Sequence, residues 1–342
     1  MFFTLTVKLL INMHDLNNER SEEIRRVPII YQKPDGSYQI VDEAVAVSGV
    51  MLKHWHLRYM VEIDRRRDER YCWFCKRGIG VRVPPPEALE YYCSKKMLDK
   101  EEANILSNGK ESDLIKHCAG EDIHGFLRTK REETLRREAL IKFSWLLPML
   151  IEEALEKLGT PSPFRILQHS RNIPEIPSSA PADLRRMQMP YPRAYSDGIF
   201  GFVSTLNLDK VGFSFTENKR AIDDSEIKER RKLAILAYVP MITGAFGASQ
   251  ARALPVSKVL EVMAIVSRDG KALPSPVHPI YHNYDEQNVN LYSTIPKLFD
   301  ADIKIFTYNT NVSEVENGKF AITKVKTPID AFNEAIEYLG LK

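Results

Sequence analysis

Phe3, Leu5, Val7, Leu9 and Ile11 recur at every second position near the start of the chain. A period of two places all five on one face of a β-strand, and so apolar a face must be covered by a core. The segment does not read as a secretory leader. It lacks a basic start and a small-residue cleavage site, and Lys8 interrupts it. No run of about 18 consecutive apolar residues occurs, so the sequence predicts no membrane span. With no export signal, the expected location is the cytoplasm, where the four cysteines stay reduced.

Across 342 residues, 44% hydrophobic and 27% charged, there is material for one large decorated domain or two smaller ones. Residues 27–31 and 38–41 flank Lys33-Pro34-Asp35-Gly36-Ser37, the composition of a hairpin turn. Val47-Ser48-Gly49 leads into a predicted helix over 50–64, with Leu52, Trp55, Tyr59 and Ile63 on one stripe and Lys53 and His54 off it. From 65 to about 122 no long apolar period is evident, and the stretch reads as an inserted module too poor in apolar residues to hold itself together. An apolar strand is predicted over 139–147 and a short helix over 149–158. Residues 159–196 are rich in Pro, Arg and Ser, too long for an ordinary connection, and read as a functional loop or hairpin. Strands are predicted over 199–208 and 211–216, turning at Asp209-Lys210. A helix from about 224 carries Leu233, Leu236, Ala237 and Met241, and Pro240 should end or kink it. A glycine-bearing loop, 244–252, precedes an apolar strand over 259–267. Strands over 303–307 and 320–325 and a helix from about 328 complete the chain.

The skeleton is strand, helix, strand, strand, helix, strand, which predicts an α+β, ferredoxin-like βαββαβ core with large insertions. The middle strands pairing through a tight turn argue against a doubly wound parallel sheet. The predicted divisions are core 1–64, inserted metal-binding module 65–121, core 122–148, insertion 149–196, core 197–268 and C-terminal elements 269–342.

Cys72-x2-Cys75, Cys93 and Cys118 supply the sharpest chemical signal. A CxxC turn offers two thiolates and two more distant cysteines can close a tetrahedral cage, so these four are candidate ligands for a structural Zn²⁺. His117 stands beside Cys118 as an alternative ligand, and buried free thiols are the alternative reading. Gly244 to Gly247 lacks the Gly-Lys-Ser/Thr of a P-loop and follows a helix instead of preceding one. It is either a helix cap or a loop through which a phosphate backbone approaches, with Gln250 and Arg252 as contacts. His54 and His56 lie two apart and point in different directions on a helix. Asp122 and His124 are either an acid–base pair or a helix cap. No constellation in the sequence predicts an enzyme. The net charge of +2 announces no polyanion, but Lys and Arg cluster at 65–67, 130–131, 136–137, 185–186 and 230–232.

Val47-Ser48-Gly49, the 121–127 segment Glu-Asp-Ile-His-Gly-Phe-Leu, the 196–203 segment Ser-Asp-Gly-Ile-Phe-Gly-Phe-Val and the 244–252 loop together resemble the DevR-type CRISPR-associated proteins. These form the backbone of type I Cascade surveillance complexes. The cysteine module is similar to the zinc-bearing insertion of the subtype I-D member. The resemblance implies an RNA-recognition-like core and several copies stacked along one single-stranded CRISPR RNA, beside other Cascade subunits, with target DNA met indirectly. It implies phosphate contacts at Ser48, Lys53, His54 and Arg58 and, across the groove, at Gln250 and Arg252. The 159–196 insertion becomes a thumb, with Arg185 and Arg186 as contacts and Met187, Met189 and Tyr191 as wedges that pry bases apart. The aromatics that stack bases on RNA-recognition sheets are not evident. Phe200 and Phe202 have the right alternation, and a core role is the competing reading. The rival functions are an endoribonuclease using Asp122, His124 or His54, and a zinc-containing DNA-binding regulator.

Overall fold

The alternating N-terminal segment forms β1 (Phe2–His14) at the middle of a nine-stranded sheet. The computed structural model describes residues 1–14, 18–20, 23–33, 35–129, 134–149, 164–168, 191–244, 255–269 and 273–342. After β1 come α1 (Gly49–Ile63), β2 (Ile141–Phe143), β3 (Tyr191–Asn207), α2 (Asp224–Leu236) and β4 (Val256–Ser267). Then follow α3 (Tyr284–Phe299), β5 (Ile303–Tyr308), β6 (Phe320–Lys324) and α4 (Asp330–Tyr338). In space the central strands run β2-β3-β1-β4, every pair antiparallel, with Leu5 opposite both Ser204 and Ala264. β5 joins β4 antiparallel and β6 joins β5 in parallel, so the sheet is mixed and the fold α+β.

β1 is buried on both faces, which its alternation alone does not predict. Phe3, Leu5, Val7, Leu9 and Ile11 enter one core with α1, α2 and α4. Thr4, on the other face and fully buried, lies 3.4 Å from the hydroxyl of Tyr292 on α3. β4 serves both layers, with Val262, Ala264 and Val266 in the first core and Met263 and Ile265 in a second built on α3. That is why Val262 to Val266 are apolar at every position.

Several expectations are corrected. Residues 211–216 do not pair with β3. The chain takes a 3₁₀ turn at Leu208–Lys210, and Phe213–Ser214 pairs with Lys219–Arg220 instead. The strand beside β3 is β2, reached across the long insertion whose ends, Phe164–Gln168 and the start of β3, form an antiparallel stem. The predicted helix over 149–158 lies outside the described residues. In α1 the buried stripe takes in Leu52, His56, Leu57 and Met60, while Trp55 and Ile63 are half-buried. α2 ends at Leu236, and Tyr238–Ile242 continues as a separate short helix, because Pro240 has no N–H to offer the preceding turn. The 65–121 stretch is not apolar-poor once folded. It is a string of short helices whose Trp73, Phe74, Leu89, Leu106 and Leu114 belong to the same core as β1. Among the described residues no helix is long and apolar enough to cross a membrane.

Val47-Ser48-Gly49 has a steric rationale. Val47 bridges to Leu146, and the Ser48 hydroxyl caps α1 by accepting from the Met51 N–H at 3.3 Å. A Cβ on Gly49 would stand 2.6 Å from the Phe143 carbonyl oxygen and 2.8 Å from that of Ser144. Only glycine lets α1 start against the backbone of β2. Gly49→Ala should therefore lower the unfolding free energy by about 1–3 kcal/mol, the usual cost of overpacking, read as a lower urea midpoint at unchanged slope.

Candidate metal centre and nucleic-acid interface

Cys72 and Cys118 each stand at the N-cap of a short helix, Trp73–Lys76 and Ala119–His124 respectively. Three residues on, Cys75 and Glu121 occupy the first turn of those helices, so the chain repeats one device as Cys-x2-Cys and Cys-x2-Glu. Backbone N–H groups at helix starts favour negative charge, which suits thiolates and a carboxylate. The four ligand atoms lie within 4.8 Å of one another, all on buried residues. A tetrahedral ion with bonds of about 2.3 Å to sulfur fits such a cluster.

Two further observations favour a cation there. Burial pushes the Glu121 carboxyl well above its ordinary range, and its Oε2 has no hydrogen-bond partner among the described residues. Gly120 leaves the necessary room, since a Cβ there would sit 2.7 Å from the Cys75 sulfur and 3.4 Å from that of Cys118.

Of the four predicted ligands, Cys72, Cys75 and Cys118 belong to the cluster, and Glu121 stands where a fourth would be. Cys93 stands outside the cluster at the end of Pro86–Ser94, with its sulfur 3.8 Å from the Asp99 carbonyl oxygen. His117 is also outside, its Nε2 3.2 Å from Glu102 Oε1; burial opposes its protonation, but the Glu102 partner raises its pKa. The sequence signal for Glu121 was present. Its spacing from Cys118 copies that of Cys75 from Cys72.

Asp122 and His124 do not form an acid–base pair, and Asp122 is no helix cap. Asp122 is fully buried, 2.6 Å from Arg137 and 3.1 Å from Arg230, and accepts the Gly212 N–H at 3.0 Å. Arg137 also binds Glu111 at 2.7 Å, while Arg230 shares Glu226 with Arg70. His124 instead meets His56, Nε2 to Nδ1 at 3.0 Å. His56 Nε2–H donates to the Ala234 carbonyl at 2.8 Å, which only accepts, so His56 Nδ1 must accept from His124. Burial holds both rings neutral, His56 down to about 3.

Beside its buried stripe α1 is basic. Lys53, His54 and Arg58 are half-buried, and Arg58 covers the Trp55 ring at 5.0 Å and pairs with Glu62 at 3.5 Å. Burial, then Arg82 and Lys142, pull Lys53 down to about 8, and burial, then Arg58 and Arg82, lower His54. Burial is the larger cause in both, neighbouring cations add to it, and the His54 ring is thereby held toward its neutral form. Sequence reasoning missed Arg82 and Lys142, isolated basic residues brought to α1 by the fold. Ser48 is nearly buried and engaged as the α1 cap. Phe200 and Phe202 are fully buried core residues. Tyr191 opens β3 opposite Gln168. Arg185, Arg186, Met187, Met189, Gln250 and Arg252 lie outside the described residues.

Comparison with known proteins decides the kinship. The family described as "CRISPR-associated negative auto-regulator DevR/Csa2" matches residues 5–289. The chain belongs to that family. A "CRISPR-associated protein Cas7/Cst2/DevR" of Methanocaldococcus jannaschii is 31% identical over 326 residues, covering 92% of this chain and 95% of that protein. One of the same description from Thermoproteus tenax is 27% identical, covering 86% and 83%. In fold, a chain of a solved "CRISPR RNA-guided surveillance complex, pre-nicking" is similar at TM-score 0.57 and 11% identity, covering 99% of this chain and 100% of its own. A DevR/Csa2 member thus uses Asp122 as a structural anion. Asp122→Ala, which takes from two buried guanidinium groups one of the two carboxylates each contacts, should cost about 3–5 kcal/mol of stability, measured by chemical denaturation.

Proposed function

We propose that the chain is a non-enzymatic backbone subunit of a type I CRISPR interference complex. It grips single-stranded guide RNA by its phosphates and presents the bases for pairing with target DNA. The observation that carries this reading is the basic surface of α1, where Lys53, His54 and Arg58 gather with Arg82; Arg58 has Glu62 as a partner, but no carboxylate raises the pKa of Lys53 or His54. Such a face needs an anion that the protein itself does not supply. Family membership supports CRISPR RNA as that anion, and the likeness to a surveillance-complex chain supports further copies of this chain and other Cascade subunits as neighbours.

The order β2-β3-β1-β4, with α1 and α2 packed on one face, supports a ferredoxin-like core of the RNA-recognition kind. The other sheet face, where such domains stack bases, is covered by Tyr292 and Ile295 of α3. Phosphate contact along α1 therefore replaces base stacking on the sheet, which suits a subunit indifferent to sequence. The thumb role of the insertion rests on its hairpin stem. Cys72, Cys75, Cys118 and Glu121 suit zinc, since three sulfurs and one oxygen in a closed buried cage leave no position for substrate. Subtype I-D rests on this cysteine insertion alone.

Binding of an unstructured RNA oligonucleotide, followed across salt and pH, tests the reading. The logarithm of the binding constant should fall linearly with that of salt, by about 0.7 for each phosphate contact. Protonated Lys53 is the binding form, so affinity should hold below pH 8, near its value of about 8, and fall above it. Lys53→Arg should flatten that fall. Salt-independent binding refutes the proposal, and shortened RNA after incubation returns the nuclease.

Metal analysis tests the centre separately. One zinc per chain is expected in the wild type and in Cys93→Ser, and none in Cys118→Ser. Zinc retained by Cys118→Ser and lost by Cys93→Ser would restore the ligand set that the sequence first suggested.

A further inference from the structure

The loop that leaves the Cys72-x2-Cys75 turn runs along the basic face of α1. Gly78, at φ +65°, is so close to Arg58 that a Cβ there would stand 3.0 Å from its Nη1. Gly80 lies against His54, its Cβ position 3.5 Å from Nδ1. Two residues later Arg82 donates from Nη1 to the His124 carbonyl at 2.9 Å. A carbonyl is a neutral acceptor, so this bond orients the guanidinium without pairing it with a carboxylate. The next residue, Val83, is buried and holds φ +48°. A β-branched side chain takes that conformation only where its surroundings impose it, at a cost of about 1–3 kcal/mol. Its N–H is among the groups that oppose burial at Glu121, as is the Arg82 charge.

The loop is thus fixed at three points. Small residues press it onto α1, Arg82 ties it to the end of helix Ala119–His124, and Val83 turns it toward Glu121. A loop held this closely, with strain at its end, positions something, and the charged group it carries to the α1 face is Arg82.

We propose that Arg82 completes, with Lys53 and His54, a single phosphate-binding site at the exposed margin of α1. The ligand is one phosphodiester of the single-stranded RNA backbone. Lys53 supplies a point charge, His54 a ring N–H, and Arg82 the planar fork that grips two phosphate oxygens at once. The inference rests on the RNA-binding reading above and adds to it a contact residue from the cysteine-bearing segment. The same loop joins the RNA face to the metal centre, because Cys75 begins it and Glu121 and His124 anchor its end.

The test is a double-mutant cycle on RNA affinity in the intact chain, using a uridine oligonucleotide at fixed pH and a salt series. Arg82→Ala should weaken binding about tenfold and reduce the salt slope by about 0.7, the share of one phosphate. Arg82→Lys should recover part of the affinity and all of the slope, because charge returns without the fork. The Lys53→Ala and Arg82→Ala losses should be non-additive, as expected of two groups on one phosphate. Arg66→Ala, which removes an exposed arginine paired with Glu69 at 2.7 Å in the same segment, should change neither affinity nor slope. Melting temperatures of all variants separate loss of contact from loss of fold, and Arg82→Lys keeps the donor to His124.

Wild-type affinity and slope in Arg82→Ala, alongside weakened binding in Lys53→Ala, overturn this inference and leave the RNA-binding reading standing. Additive losses from the two variants assign them to separate phosphates and overturn the single site. A wild-type chain that binds no RNA removes the wider reading and this site with it.

Discussion

Two arginines meeting one carboxylate in a dry interior organise this molecule. Arg137 and Arg230 both reach Asp122, and each has a second carboxylate, Glu111 or Glu226. Buried charges are tolerated when paired and hydrogen-bonded, and very costly when one partner is missing. Only one arrangement of the helix Ala119–His124 satisfies all of them. That helix has six residues, every one buried, and is far too short to form by itself. Tertiary bonds alone hold it, and each side chain then has a fixed direction. Glu121 turns to the thiols, Asp122 to the arginines and His124 to His56. A candidate metal-binding cluster, an ion cluster and a contact with α1 therefore hang on less than two turns of chain.

The histidine contact passes this order on to α1. His56 uses both ring nitrogens inside the core, one to Ala234 of α2 and one to His124. With His56, Leu52 and Met60 turned inward, helical geometry turns His54 and Arg58 outward and leaves Lys53, seven residues before Met60, at the margin of the buried face. The basic residues thus run from that margin to the outer side of a helix whose near side is fixed by packing. Its lysine is crowded and partly dehydrated, which makes it responsive to an incoming anion at little cost in reorganisation.

Much of this was legible in the sequence, and the exceptions have physical causes. Strand positions 3–11, the hairpin before α1, the break near Pro240 and the last helix each follow from local periodicity or proline chemistry. α3 escaped because its inward face mixes Tyr284, Asn288, Tyr292 and Ile295 at helical spacing, and a buried asparagine does not look apolar. Asn288 is there because it exchanges two hydrogen bonds with the backbone of Val277. The pairing of β2 with β3 spans the whole insertion, so no local turn announced it, and 211–216 offered a nearer but false partner. Cys93 was chosen over Glu121 because a search by residue type ranks cysteine first. The spacing rule that pairs an N-cap with the third residue beyond it points to Glu121.

Basic doublets were the weakest guide to a nucleic-acid face, for a general reason. Neighbours on a helix or strand diverge, so in a doublet one residue commonly turns inward and must be neutralised. Arg137 and Arg230 have done so, Arg231 donates to the Leu208 carbonyl, and Arg66 pairs with Glu69. Lys53 and Arg82 belong to no doublet. They are conspicuous only in three dimensions, where separate segments bring like charges together and neither forms an ion pair among the described residues. A chain with 48 basic and 46 acidic side chains can neutralise nearly every cation it carries. Where it instead crowds several beside one another, dehydrates one and holds another with a strained loop, the missing counter-charge belongs to a partner. Compensation, more than count, locates the surface that meets a polyanion.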